Sequence, residues 1–110
     1  MKNFVQAGEM LSVTAPYAVA SGDGVKVGGI IGIAQHDAAI SEDVLIARNG
    51  VFTVAKVSAQ AWTAGAKIYW DDTAKNFTTT TTSNTLVGAA ALAADNPSAK
   101  GQVLMDGAIR

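Results

Sequence analysis

Apolar and polar positions alternate along much of this chain in short runs, each ended by Gly, Asn, Asp or Ser. The runs are rich in Val, Ile and Thr. That spacing, with β-branched clusters between turn residues, is the pattern of many short strands. It predicts strands at Met10–Ala15, Gly24–Val27, Gly29–Ala34, Val44–Ala47, Val51–Val57, Lys67–Trp70, Phe77–Thr82, Thr85–Leu92 and Gln102–Met105. The expected fold class is all-β, a small β-barrel or sandwich of about eight to nine short strands. At most one short helix is expected, near residues 58–64, with Ser58 as its cap and Gly65 as its stop.

The punctuation sharpens this. Asn49-Gly50 stands between two apolar runs, and both residues tolerate the positive φ of a type I′ turn, so Val44 to Val57 reads as a hairpin. Turns are also expected at Ser21-Gly22-Asp23-Gly24, at Asp71 to Asn76 and at Asp95-Asn96-Pro97-Ser98. The Thr78 to Thr82 run is β-prone and reads as an exposed strand or a loop tip. An internal echo runs through the strands. Gly24-Val25-Lys26-Val27 resembles Gly65-Ala66-Lys67-Ile68, Ile30 to Ala34 resembles Leu86 to Ala90, and Val44-Leu45-Ile46 resembles Val103-Leu104-Met105. The order is the same in both halves, which suggests two similar β-meanders in one barrel, with Gly32 and Gly88 where strands bend or backbones approach closely.

Composition enters as a constraint on the surface. Of 110 residues, 49% are apolar and only 15% charged, with a mean hydropathy of +0.24, against about 25% charged residues in ordinary globular domains. Some of this surface is therefore expected to be reserved for neighbours. No apolar run approaches the ~20 residues that cross a bilayer, and Met1 to Gln6 lacks the apolar core of a signal peptide, so cytoplasmic synthesis without a membrane partner is expected. Cysteine is absent, which removes thiol nucleophiles, disulfides and Cys-ligated zinc together.

Candidate chemistry is sparse. Gly22-Asp23-Gly24-Val25-Lys26-Val27-Gly28 is one residue too long for a dinucleotide fingerprint and leads into a strand, and no Gly-Lys-Ser/Thr phosphate loop occurs. His36, beside Asp37 and near Ser41, reads as a loop histidine, since a triad must converge through the fold. The adjacent pairs Glu42-Asp43 and Asp71-Asp72 lack the geometry of acid and base, and no acidic loop has calcium-ligand spacing. No catalytic residue, cofactor, metal or small-molecule substrate is expected. Trp62, Tyr69 and Trp70 suggest a stacking platform for nucleic acid, but no basic residues interleave them; with a net charge of −1, nucleic acid is an unfavoured partner. Trp62 and Trp70 are instead expected at an interface, where indoles are favoured, and Asn3, Phe4 and Val5 in an arm over residues 1–6 that precedes a single barrel domain at 7–110.

Met1-Lys2-Asn3-Phe4-Val5-Gln6-Ala7-Gly8-Glu9, Thr14 to Val25, Asn49-Gly50-Val51-Phe52, Trp62 to Asp71 and Asn84-Thr85-Leu86-Val87-Gly88 together resemble a family of small phage and prophage proteins, over nearly the whole chain and in the right order. The resemblance implies a capsid decoration or cement protein: a small β-barrel that trimerises, contacts the major capsid protein and sits on the outside of the head. Its place would be the virion surface, after synthesis in the bacterial host. Some family members carry a label as recombinases related to RecA, and a nucleic-acid-binding recombination accessory is the alternative it suggests. The missing phosphate loop and the short chain speak against that label.

Overall fold

The computed structural model describes residues 8–107, and the expected arm at 1–6 lies outside them. Nine strands form: β1 (Met10–Thr14), β2 (Gly24–Val27), β3 (Ile30–Ala34), β4 (Asp43–Ala47), β5 (Asn49–Ala55), β6 (Lys67–Asp71), β7 (Asn76–Thr78), β8 (Thr85–Ala90) and β9 (Lys100–Asp106). They make two antiparallel sheets, ordered β1-β4-β3-β2 and β5-β9-β8-β6-β7. The all-β expectation holds.

The two sheets are one design used twice. β1, β4, β3 and β2 occupy the places of β5, β9, β8 and β6, and the loops repeat the same main-chain bonds. Val19 and Ala38 exchange a pair at 2.9 Å; Trp62 and Ala94 do so at 2.9 and 3.0 Å. The Gly22 amide donates to the Ala34 carbonyl and the Gly65 amide to the Ala90 carbonyl, both at 2.8 Å. Buried positions correspond as well: Val25 with Ile68, Ala34 with Ala90, Ile46 with Val103. The glycines at the closest approaches also match. A Cβ on Gly32 would lie 2.8 Å from the Ala47 carbonyl oxygen, and one on Gly88 only 1.9 Å from that of Leu104. The echo in the sequence therefore reflects a repeated fold, although the ladder registers shift the matches in the first and third segments by two residues.

The units differ in closure. Residues 71–85 stand where the first unit has only Gly28 and Gly29, and they carry β7. This strand pairs antiparallel with β6 and bridges in parallel from Phe77 to Lys56, where the Val57 amide donates to the Phe77 carbonyl at 3.2 Å. The five-stranded sheet thus closes on itself, while the four-stranded sheet remains a half-barrel. Trp62, Ile68, Trp70, Phe77, Val103 and Met105 fill the closed barrel, and Ile31 and Ile33 of β3 pack into the same cluster, joining the sheets. A second cluster, built on Val25, Val44 and Ile46, lies inside the half-barrel.

Two local expectations fail and the strand expected at Phe77–Thr82 is cut short, each for a physical reason. No helix forms among the described residues. Residues 58–64 run as a turn and extended chain because the Trp62 main chain bonds to Ala94, and so short a segment has no means of paying for a helical nucleus. The Val44–Val57 hairpin is absent too: β4 and β5 lie in different sheets, Asn49 and Gly50 pair with Asp106 and Met105 of β9, and Arg48 alone makes the crossing. Gly50, at φ 120°, takes the bend, and the Arg48 guanidinium holds the corner through the carbonyls of Gly8 at 2.7 Å and Gly107 at 2.5 Å. The threonine run ends as a strand at Thr78, which is buried, because the Gln60 amide oxygen accepts from the Thr79 amide at 2.8 Å and turns the chain out.

Candidate interaction surface

The expected interface indoles are core residues. Trp62 and Trp70 are each 2% exposed. Gly101 leaves room for the Trp62 ring, since a Cβ there would lie 2.5 Å from it, and Gly24 does the same for Trp70 at 2.5 Å. Each indole N–H is satisfied internally, Trp62 by the Gln60 side chain at 2.9 Å and Trp70 by the Asp72 carboxylate at 3.0 Å. The assignment of both rings to an interface is corrected on this ground: their area is already removed from water within the chain. The same burial removes the stacking platform that nucleic-acid binding would require. Asn3, Phe4 and Val5 lie outside the described residues.

What the surface does offer is aliphatic. Val51 of β5, Leu104 of β9, Ala89 of β8 and Lys67 of β6 stand directly opposite one another, so they form one row across the outer face of the closed barrel. Val51 is 55% exposed and Leu104 49%. Lys67, Leu86, Gly88, Ala89, Leu104 and Asp106 line a shallow hollow there, apolar at its floor and charged at its rim. Exposed Leu92, Ile40 and Met10 add further apolar points on loops and on β1. The sequence carries a signal for this row: Val103-Leu104-Met105 is apolar at every position, so one face of that strand must leave the core.

A polar cluster ties the two units together. The Asp72 carboxylate accepts from the Trp70 indole, from the Lys75 ammonium at 3.1 Å and from the Tyr17 hydroxyl at 3.4 Å. Lys75 lies 3.9 Å from the Tyr17 ring centre. Partial burial works to raise the Asp72 carboxyl, but the bonds from Trp70 and Lys75 and the nearby positive charges outweigh it and hold the group below its ordinary range. Tyr17 is pushed up from 10.0 to about 12, first by burial and then by the charge of Asp72, against the lowering effect of the Lys26 amide. This cluster is a fastening, with its donors and acceptors spent on one another.

His36 is likewise engaged. The Leu45 amide donates to Nε2 at 3.2 Å, which leaves Nδ1 as the protonated nitrogen facing the Asp37 carbonyl at 3.0 Å. Both nitrogens are occupied by main chain, and neither addresses Ser41. Among the described residues no three His, Asp or Glu side chains gather as a metal site. A family model described as phage cement protein matches residues 5–105. No match was found among curated proteins or solved structures.

Proposed function

The chain belongs to the phage cement protein family, and on that premise we propose that it decorates the outside of a phage head as a homotrimer and stabilises the shell. The observation that carries the reading is the family match over residues 5–105, and the surface supplies a means. A cement protein bridges neighbouring shell subunits, so that internal pressure must break additional contacts before the shell opens. Its working quantity is buried area, on the order of 1,000 Å² or more for each stable contact. The exposed Val51–Leu104–Ala89 row, rimmed by Lys67 and Asp106, has the composition of such a contact, with an apolar centre and a polar edge. Three copies on one site raise the effective affinity through avidity, so each single contact can be weak.

The test is direct. Purified protein added to undecorated heads of its own phage binds saturably, and decorated heads release DNA at a higher temperature than bare ones. Failure to bind either expanded or unexpanded heads would sink the reading. Leu104→Asp places a charge in the apolar row without touching the core and is expected to weaken head binding or self-association by on the order of tenfold or more, with the melting temperature preserved.

A further inference from the structure

The half-barrel of the first unit has one edge that no described residue covers. Its β2 edge is dressed, because the Tyr17 hydroxyl accepts from the Lys26 amide at 3.1 Å and faces the Gly24 carbonyl at 3.4 Å. Its β1 edge is bare among the described residues. Glu9 and Ala15 direct their main-chain groups toward the β4 side, at Arg48, Glu42 and Ser41, so in the alternating antiparallel ladder those of Met10, Ser12 and Thr14 point away from it. They meet no partner strand among the described residues. The edge from Met10 to Thr14 has neither charge nor proline, the devices that normally discourage edge pairing. Burial marks the same place. Val13 is half-buried whereas its counterpart Val54 is 1% exposed, and Val27 is half-buried whereas its counterpart Trp70 is 2% exposed. Away from this seam the counterparts are equally buried, as at Val25 and Ile68.

In the second unit β7 covers that seam, and its sequence Asn76-Phe77-Thr78 follows Lys75. The tripeptide Lys-Asn-Phe also stands near the start of the chain as Lys2-Asn3-Phe4, there followed by Val5, and the dipeptide Asn-Phe occurs at these two places alone. We propose that the Lys2–Gln6 segment of a second copy completes the open edge of β1, lying parallel to it as β7 lies beside β5, with Phe4 over Leu11 and Val13. The donor is a second copy for a geometric reason. A parallel neighbour needs a crossover of roughly a dozen residues, and only Ala7, Gly8 and Glu9 separate the segment from β1. Gly8 is held at the start of β1 by Arg48. Ala15 is the counterpart of Lys56, which bridges Phe77, and a chain leaving Gly8 toward the segment cannot turn back and run parallel to β1 within so few residues. Pro16, standing where Val57 donates to Phe77, has no N–H, which shifts the pairing up β1 toward Ser12 and Thr14. Donation from each copy to the next is a head-to-tail contact, which closes into a ring when the rotation allows.

This inference rests on the self-association in the proposed function, and its test reads the contact separately from head binding. The chain has no cysteine, so Phe4→Cys and Val13→Cys variants can be mixed without background. Under mild oxidation the mixture gives a reducible two-chain species containing one copy of each variant, and the double variant gives linked multimers. A double variant that crosslinks only within one chain overturns the proposal in favour of a folded-back arm. Absence of any mixed species while the wild type is oligomeric by light scattering also overturns it. In parallel, Phe4→Asp is expected to weaken self-association by on the order of tenfold or more with the far-ultraviolet dichroism unchanged. An unchanged oligomer contradicts the inference, and wild-type binding to heads, measured alongside, decides the cement reading on its own.

Discussion

Glycines and indoles set the limits of packing in this protein, and the repeat makes their roles comparable. At Gly88 a methyl group would overlap the Leu104 carbonyl oxygen, while at Gly32 the nearest oxygen is 2.8 Å away. Gly88→Ala is therefore expected to cost about 3 kcal/mol or more and Gly32→Ala about 1 kcal/mol, read from denaturant midpoints. Equal losses would contradict the geometry. A sharper case is the exchange of size between units. Val19 and Val44 in the half-barrel correspond to Trp62 and Gly101 in the closed barrel. Trp62→Val alone leaves a cavity worth about 3 kcal/mol, and Gly101→Val alone drives a side chain into the ring. The double variant recreates the pairing of the first unit, so the two changes are expected to couple favourably by about 1–3 kcal/mol in a double-mutant cycle. Tyr17 gives a pH signature. Its phenol is raised from 10.0 to about 12 on folding, so the contribution is complete below pH 10 and disappears as pH rises from 10 toward 12. Alkaline melts should show this loss, and Tyr17→Phe should lack it.

At the level of elements, β7 converts an open sheet into a barrel. Phe77 is 1% exposed and its ring lies 4.9 Å from that of Trp70. Phe77→Ala is expected to cost about 3–5 kcal/mol in thermal or chemical unfolding, whereas changes in the exposed stretch 80–83 should stay within about 0.5 kcal/mol. A small effect at Phe77 would mean that β7 is an ornament. The strands were legible in the sequence because each follows a β-branched run bounded by turn residues. Their partners were less so. Asn49-Gly50 has the chemistry of a tight turn, yet Val44–Ala47 and Val51–Ala55 each find better cover in a different sheet, and long-range burial overrides a local preference. The indoles misled for a related reason. Trp62 and Trp70 read as interface residues by type, and what buries them is the absence of side chains at Gly101 and Gly24, far away in sequence. By contrast the repeat was visible in order and content, because equivalent strands must present similar faces to equivalent cores.

For the molecule as a whole, the low charge and the high apolar content have a physical use. The core consumes the indoles and Phe77, leaving Val51, Leu104, Leu92, Ile40 and Met10 exposed, so among the described residues the large exposed apolar side chains are aliphatic. Such a surface suits flat contacts repeated over a lattice more than a pocket for a small molecule. The β1 edge is open among the described residues and Lys2-Asn3-Phe4 echoes Lys75-Asn76-Phe77, so on the proposed reading self-assembly and shell binding go together. Electron cryomicroscopy of bare heads incubated with the protein tests this most directly. The expected result is added density on the outer surface where shell subunits meet, sized for three 11.2 kDa chains at each site. Density for isolated single copies, density on the inner surface, or no added density would contradict it.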